Sequence, residues 1–309
     1  MVRFRRMRSL VSATIFPIVF VVAIGASSTA LDHGVPVGRV LLLTSIASVL
    51  GVVLLERLLP YRREWNRSQG DLAADGAYLP LTVGVNMLIE PGVAIAGAAA
   101  GGWLSAKIGI GLWPSAWPLL AQLALACVVV ELFDYWAHRV MHESGILWRF
   151  HATHHSAPRL YWLNATRSHP GEMAFRGAVS ILPLPFLGAG QALLAMNGIV
   201  NIVVGLFQHA NVDFKLGPLS WIFSVGEMHR WHHSGRIEET NTNYGNNFLF
   251  WDAVFGTRYR PSGRAAPERL GIDGLDAFPR AILGQLVAPL RWSRIVAASE
   301  RGVHGPIPG

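Results

Sequence analysis

Residues 131–155 read ELFDYWAHRVMHESGILWRFHATHH, and this stretch joins the end of an apolar run to two histidine motifs. The first motif is His138-Arg-Val-Met-His142 and the second is His151-Ala-Thr-His154-His155. A third motif, His229-Arg-Trp-His232-His233, follows later in the chain. Spacings of i, i+3 and i+4 place side chains on one face of an α-helix. Each motif therefore predicts a helix that directs two or three imidazoles to one point.

The number of histidines indicates more than one metal ion. Ten of the chain's 12 histidines lie between His138 and His233, and the three motifs hold eight of them. Imidazole is the commonest side-chain metal ligand, and eight exceed what one tetrahedral ion uses. With no cysteine nearby and few carboxylates in the motifs, this donor set favours iron, zinc, copper or nickel. Two metal ions are predicted; the alternative, a set of surface or core histidines, requires three coincidental clusters.

The composition is that of a membrane protein. The 309 residues are 51% hydrophobic and only 15% charged, whereas soluble domains carry about 25% charged residues. The net charge of +7 comes from basic residues that flank apolar stretches. That arrangement fits anionic lipid headgroups better than nucleic acid. Cys127 is the only cysteine, which excludes an intrachain disulfide and a cysteine-ligated iron–sulfur cluster.

Apolar stretches long enough to cross a bilayer, roughly 20 residues, occur five times. They cover 11–31, 38–55, 77–104, 116–137 and 174–208. The first follows four arginines and ends near Ser28-Thr29-Ala30, so it also resembles a cleaved secretory signal. An uncleaved anchor is favoured, because the run is long for a signal and another span follows at once.

The positive-inside rule predicts the sidedness of these spans. It places the N-terminal arginines and those at 57–67 in the cytoplasm, so the fourth span delivers His138 to the cytoplasmic edge. The run 174–208 contains two prolines and two glycines between Pro183 and Gly190. These residues predict a hairpin of two half-length or tilted helices. The hairpin returns the chain before His209, so every motif falls on one side.

We therefore predict an all-α fold, an integral-membrane helical bundle with a cytoplasmic histidine-rich di-metal domain. The chain has three predicted parts. Residues 1–115 hold transmembrane helices and a polar connector at 56–76, residues 116–260 hold the motifs, and residues 261–309 form a C-terminal tail. Within the tail, 277–297 either lies on the membrane surface or packs as an ordinary helix. In a bacterium, the inner membrane is the expected location.

Three residues beside the motifs are further site candidates. Asp134 precedes His138 by four residues, and an acidic side chain there can accept a hydrogen bond from the far nitrogen of a metal-bound imidazole. Alternatively, the Asp134 carboxylate balances the positive charge of Arg139. His209 stands alone, and a lone histidine is more often structural than ligating; because the hairpin brings it to the motif side, a ligand role is favoured. His169 is a further ligand, an outer hydrogen-bond partner or a turn residue. His33 and His304 are expected on the surface.

The motifs and their order resemble the sterol desaturase and fatty acid hydroxylase superfamily of integral-membrane non-haem di-iron enzymes. The resemblance covers roughly 125–260. It rests on DxxxHRxxH from Asp134, HxxHHS from His151, HP at His169, QH at His209, HRxHH from His229, and then Asn243-Tyr244-Gly245, Trp251-Asp252 and Phe255-Gly256. The family pattern implies a helical membrane bundle capped by a cytoplasmic domain that holds the metals.

The resemblance also implies nine ligands: His138, His142, His151, His154, His155, His209, His229, His232 and His233. Some members carry a further histidine four residues after the isolated one, where this chain has Asp213. Asp134, His169, Asn211 and Asp213 are therefore candidates for outer partners or an additional ligand.

The implied activity is oxidation of a lipid with O₂ at two iron ions, with zinc able to replace iron on purification. The product is an alcohol or an alkene from a fatty acyl chain, sterol or ether lipid, and the sequence leaves this choice open. No GxGxxG or CxxCH motif is present, which implies a separate electron-donor protein. The alternative is a histidine-rich membrane metal transporter, but transporter sites usually lie near the midplane. A zinc hydrolase would need HExxH, which is absent.

Overall fold

A computed structural model describes residues 2–264, 266–267 and 269–303, and within them the chain is helical with no β-strand. This confirms the predicted fold class. The helices are α1 (Val2–Asp32), α2 (Val37–Leu58), α3 (Leu72–Ile108), α4 (Leu119–Glu143), α5 (Trp148–His155), α6 (Pro170–Ile181), α7 (Pro183–Leu187), α8 (Gln191–His209), α9 (Gly226–His232), α10 (Ile237–Thr240), α11 (Phe250–Phe255), α12 (Ile282–Val287) and α13 (Trp292–Val303).

Five helices are long and apolar enough to cross a membrane. They are Arg6–Asp32 within α1, together with α2, α3, α4 and α8. The shortest, α8, has 19 residues, and at about 1.5 Å per residue it matches a hydrocarbon core of roughly 30 Å. On α2, Leu42, Leu43, Leu50 and Leu54 are exposed on the outside of the bundle. Exposed leucines of this kind suit contact with lipid. The first four predicted spans coincide with α1 to α4, whereas only the second half of the fifth run, 174–208, is a helix of membrane-spanning length.

Helix α8 lies at the centre of the bundle. Its residues Met196, Ile199 and Val203 are fully buried, and their spacing of three and four places them on one helical face. Phe207 packs on Phe16 of α1, with ring centroids 5.4 Å apart. The helix that ends in His209 is therefore fixed by packing along most of its length.

The run 174–208 forms a hairpin, as predicted, but its limbs are unequal. One limb is broken into α6 and α7, whereas the other is the single helix α8. Gly188 ends α7 with φ of 89°, a left-handed conformation that favours glycine. On α3, Gly97 and Gly101 allow α7 to approach closely, because a Cβ at Gly101 would collide with the Phe186 carbonyl.

Buried polar contacts tie the N-terminal helices to the histidine-bearing segments. The Glu56 carboxylate on α2 accepts hydrogen bonds from the backbone N–H of Trp162 at 2.8 Å and of Asn211 at 3.0 Å. Arg159 donates to Asp71, just before α3, at 2.6 and 3.0 Å. The N-terminus of α3 and the C-terminus of α2 therefore lie at the same end of the bundle as the motifs.

The tail packs against the rest of the chain through a small apolar cluster. Ala288 and Ile295 are buried in it, whereas Leu283 is 74% exposed and Leu290 is 88% exposed. Contact of these leucines with the membrane surface stays a prediction. His33 is exposed at the end of α1, as expected, and His304 lies outside the described residues.

Candidate metal centre

The nine histidines that the family pattern implies as ligands gather into two groups. The five-histidine group is His138, His142, His151, His155 and His232, and the four-histidine group is His154, His209, His229 and His233. Within each group, the ring nitrogens lie within 4.8 Å of one another, and every member is buried. The groups touch, because the stacked rings of His155 and His233 have centroids 4.5 Å apart.

Helix geometry divides the motifs between the groups. The second motif, on α5, gives its i, i+4 pair to the five-histidine group and its remaining residue, His154, to the other. The third motif does the opposite: its i, i+4 pair joins the four-histidine group, and His232 joins the five. Residues one turn apart share a face, and the residue between them points about a quarter-turn away. Helices α5 and α9 therefore each contribute histidines to both groups, which holds the two groups next to each other.

Two backbone carbonyls orient rings of the five-histidine group. His138 Nδ1 donates to the Tyr244 carbonyl at 2.6 Å, and His232 Nδ1 donates to the Thr242 carbonyl at 2.8 Å. A carbonyl can only accept, so these contacts place the ring proton on Nδ1. The Nε2 lone pair of each ring is then free to bind a metal.

Side chains orient two more rings of this group. His142 Nδ1 is 3.1 Å from Oδ1 of Asn241, and His151 Nδ1 is 2.9 Å from Oε1 of Glu172. Glu172 is buried. A carboxylate in this position also raises the basicity of the ring that it holds. No motif in the sequence predicts these two partners, and the only signal for Glu172 is its place in the first turn of α6, shortly after His169.

The four-histidine group has fewer outer partners. His154 Nδ1 donates to the Arg167 carbonyl at 3.1 Å, and His209 Nδ1 donates to Oδ1 of Asn164 at 2.9 Å. In the part of the chain that the structure describes, Nδ1 of His229 has no hydrogen-bond partner. The same holds for Nδ1 of His233 and, in the other group, of His155.

The remaining ring nitrogens face one another at distances that fit a shared metal. His138 Nε2 lies 3.1 Å from His151 Nε2, and both rings donate through Nδ1. Their lone pairs repel unless a cation lies between them. Nitrogens bound at about 2.1 Å to one ion, at right angles, are about 3 Å apart. The pairs His151–His155, His209–His229 and His229–His233 show the same approach, at 3.0, 3.2 and 3.0 Å.

Burial keeps these imidazoles neutral. It lowers the pKa of His154 to about 3, and the hydrogen bond to the Arg167 carbonyl only partly opposes it. Burial, followed by repulsion from neighbouring histidines, also lowers the pKa of His155 and His233 well below the usual value. The neutral ring is the form that binds a metal, so the donor set is suited to a metal near neutral pH.

The Asn243-Tyr244-Gly245 and Trp251-Asp252 motifs cooperate to place the carbonyl that holds His138. The Asp252 carboxylate accepts from the backbone N–H of Tyr244 at 2.7 Å and of Gly245 at 2.8 Å. Asn243 is left-handed, with φ of 52°, a conformation that asparagine tolerates better than most residues. The turn thereby points the Tyr244 carbonyl at the His138 ring.

The predicted contact between Asp134 and His138 was wrong. Asp134 accepts two hydrogen bonds from Arg176, both at 2.7 Å, and a third from Ser180 at 2.6 Å. Both donors lie on α6, so the carboxylate faces that helix while the His138 ring turns to the Tyr244 carbonyl. The alternative partner, Arg139, pairs instead with Glu143 at 2.8 Å.

His169 is a turn residue, one of the three roles considered. It caps the N-terminus of α6, where its Nδ1 accepts from the Gly171 N–H at 2.9 Å. Its Nε2 donates to the Leu286 carbonyl of the tail at 3.0 Å. With both nitrogens engaged, the ring is not part of either histidine group.

Asn211 and Asp213 also lie outside the two groups. The Asn211 side chain bridges to the connector, because its Oδ1 accepts from the Arg62 N–H at 2.9 Å. Asp213 Oδ2 lies 3.7 Å from both Arg8 and Lys215. The position of a tenth histidine in some relatives is therefore occupied here by an acid that faces basic side chains.

A cavity of about 370 Å³ lies between the membrane helices beside the centre. Its lining includes Asp134, Ser180, Asn201 and Asn246 together with apolar side chains. A second cavity of about 520 Å³ shares three lining residues with it, Ala94, Pro185 and Leu194. The two together form a mixed polar and apolar space that begins at Asp134, one helical turn before His138, and extends between α3 and α7; none of the nine histidines lines it.

Comparison with known proteins identifies the family to which this chain belongs. The model of the fatty acid hydroxylase family matches residues 123–257. An ornithine lipid hydroxylase of Rhizobium tropici is 38% identical over 253 residues, which cover 79% of this chain and 73% of that protein. The chain belongs to the fatty acid hydroxylase superfamily. This confirms the resemblance drawn from the motifs.

More distant members of the fatty acid hydroxylase superfamily match less than half of this chain. An alkylglycerol monooxygenase of Xenopus tropicalis is 30% identical over 47% of this chain and 31% of its own length. A methylsterol monooxygenase of Arabidopsis thaliana is 24% identical over 47% of the chain and 54% of its own length. No solved structure matches. The chain is thus a lipid-oxidising membrane enzyme with a metal centre, and the transporter alternative is not supported.

Proposed function

We propose that this fatty acid hydroxylase uses two iron ions and O₂ to hydroxylate a membrane lipid. The observation that carries the proposal is the set of opposed Nε2 atoms, 3.0 to 3.2 Å apart, in two adjacent buried groups. Each group would hold one ion. Nitrogen-rich sites suit iron, zinc, copper or nickel. Of these, iron is the metal that the family resemblance implies, and it is redox-active, as an oxygenase requires.

Bound iron supplies the reductive activation of O₂, and the overall reaction is R–H + O₂ + 2e⁻ + 2H⁺ → R–OH + H₂O. The two electrons come from a separate donor protein, because the sequence has no nucleotide or haem motif. The protein contributes orientation and exclusion of water. Six rings are fixed through Nδ1, and all nine are buried, so bulk water does not compete with the substrate.

The proposed substrate is an amphiphilic lipid that enters from the bilayer. Its apolar chain fits the larger cavity, and its polar part or a hydroxyl-bearing linkage fits the cavity lined by Ser180, Asn201 and Asn246. The relative with the greatest coverage among those compared is an ornithine lipid hydroxylase, which supports an aminoacyl lipid. We favour hydroxylation over desaturation, because the three relatives described above are named as a hydroxylase and two monooxygenases, and none of them as a desaturase.

We further propose that the N-terminus and both histidine groups face the cytoplasm, in the inner membrane if the organism is bacterial. Arg8 on α1 donates to the Pro60 carbonyl after α2, which supports a single basic end of the bundle. The division into 1–115, 116–260 and 261–309 is proposed as a functional one, in which the first part supplies membrane helices and the last covers the centre.

The test is mass spectrometry of lipids from cells that make ornithine lipids, with and without the full chain. Hydroxylation adds about 16 mass units to the substrate, and growth under ¹⁸O₂ should add about 18. The His33→Ala variant should retain the product, and the His232→Ala variant should lose it. A shift of about −2 would show desaturation instead. No changed lipid from a chain loaded with two iron ions would contradict the proposed function.

A further inference from the structure

A cavity of about 430 Å³ lies at the motif end of the bundle, apart from the two that we assign to the substrate. Residues of four segments line it, among them Tyr61 after α2, Lys215 after α8, Arg230 on α9 and Arg260 after α11. Four cationic side chains line the cavity against two carboxylates. Its excess of positive charge makes it suitable for an anion.

Arg230 is the unusual member of this lining. It is only 2% exposed, and its guanidinium lies over the Tyr61 ring, 3.8 Å from the centroid. Its Nε has no hydrogen-bond partner among the described residues, and Nη1 makes one long contact, 3.4 Å from the Val212 carbonyl. No carboxylate of the described chain pairs with it. A buried cation without a counter-ion is costly, so the unpaired guanidinium points to an anionic ligand.

The two acids of the cavity already have cationic partners. Glu227 pairs with Arg260, and Asp213 lies 3.7 Å from both Arg8 and Lys215. Their charges are therefore largely balanced before a ligand arrives. Arg264, the fourth cationic residue of the lining, pairs with Glu239 outside the cavity. Among these four cations, Arg230 is the one that lies within 4 Å of no described carboxylate.

The cavity lies just beyond the ends of α2 and α8, two of the helices long and apolar enough to cross a membrane. Tyr61 follows the last residue of α2 by three positions, and Asp213 follows the last residue of α8 by four. Close by in the chain, the apolar side chains of Leu58 and Trp221 are 64% and 59% exposed. Basic and aromatic residues at this depth are typical of the headgroup region.

We propose that this cavity binds the phosphate group of an anionic membrane lipid, with Arg230 as its buried anchor. The lipid's acyl chains would lie along the exposed apolar faces of the bundle. Lys215 would contact the same headgroup from the open side of the cavity. The proposed site is distinct from the metal centre and does not depend on the nature of the reaction.

The experiment is competition for bound lipid on the purified full chain, read by native mass spectrometry. The chain is exchanged into equal amounts of phosphatidylglycerol and phosphatidylcholine with the same acyl chains, with and without inorganic phosphate. Wild type should retain phosphatidylglycerol preferentially. Lys215→Gln should reduce that preference about fivefold, the effect of one basic residue near a charged surface. Lys107→Gln, which changes the only other lysine, at the far end of α3, is the matched control.

Arg230→Gln should reduce the preference more than Lys215→Gln, and its metal content is measured in parallel because Arg230 lies between two histidines of the centre. If this variant fails to fold, Lys215→Gln alone decides. Equal retention of the two lipids by wild type, or equal behaviour of Lys215→Gln and Lys107→Gln, would overturn the proposal. Displacement of bound phosphatidylglycerol by low millimolar inorganic phosphate would assign the cavity to a soluble anion and also overturn it.

Discussion

The two histidine groups draw on shared motifs, but the protein around them holds them differently. In the five-histidine group, four rings are fixed through Nδ1, and one of the partners, Glu172, is acidic. In the four-histidine group, two rings are fixed among the described residues, and both partners are neutral. The spacing of the motifs thus creates two sites of similar donor type, and the outer partners make them unequal.

This difference predicts unequal metal binding. Outer acceptors fix the orientation of a ligating imidazole and raise its basicity, so the five-histidine group should bind its ion more tightly. The four-histidine group has one ligand fewer and two rings whose Nδ1 atoms have no partner in the described chain. It should leave a coordination position open to a ligand that is not part of the protein.

The largest effect is expected from removing one ring from either group. His232→Ala and His154→Ala should each lower activity by about a thousandfold or more, because a lost ion removes several kcal/mol of stabilisation of the reaction. His33→Ala, on an exposed histidine, should leave activity unchanged. Membrane insertion of all three is checked by fractionation. Full activity in either motif variant would show that its group is dispensable.

Removal of metal by a chelator should distinguish the two histidine groups by their affinity for the ion. We expect two ions per chain, and titration with a chelator should remove them in two steps at least about tenfold apart in chelator concentration. The His154→Ala variant should lack the step at lower chelator concentration, and the His232→Ala variant should shift the other. Metal per chain is measured by elemental mass spectrometry. Simultaneous loss of both ions would refute the inequality, and a fully loaded chain with one ion would refute the pair.

Glu172→Gln should bring the groups closer together in affinity. Burial raises the pKa of Glu172 to about 8, and a metal cation bound by His151 would favour its ionised form. The substitution keeps the shape of the side chain but removes this carboxylate, so metal affinity of the five-histidine group should fall about 10- to 100-fold. The two chelation steps should then approach each other or merge. Glu238→Gln is the matched control, since that side chain is 73% exposed. An unchanged separation between the steps would remove Glu172 as the cause of the inequality.

The histidines that gather into the two groups could be predicted from the sequence, because each motif is a short contiguous segment. Helical spacing places each motif on one face, and the hairpin signal between Pro183 and Gly190 accounts for the return of His209. The family pattern supplies the full set of nine. Long apolar runs likewise predicted the membrane helices, because a hydrophobic span of fixed length is a property of contiguous sequence.

The outer partners could not be predicted, because they come from segments far away in the chain. Tyr244 meets His138 only after a turn fixed by Asp252, and Asn164 meets His209 from a short helical segment of its own. Asp134 shows the converse failure. It has the correct helical spacing to His138, but Arg176, on another helix, donates two hydrogen bonds to it instead. Spacing predicts which residues share a face but not what packs against that face.

The smallest effect is expected at His169, which belongs to neither group. Its Nδ1 caps α6, the helix that carries Glu172, and its Nε2 contacts the tail. His169→Ala removes both contacts and should lower stability by about 1 to 2 kcal/mol. His169→Asn keeps a good capping side chain that is too short to reach the Leu286 carbonyl, so it should lose about half as much. Both variants should bind two ions and show only a modest loss of activity. Thermal unfolding and metal content measured on the same samples distinguish a capping role from a ligand role. Loss of an ion in His169→Asn would mean that the ring is a metal ligand. The division into a group of five and a group of four histidines would then be wrong.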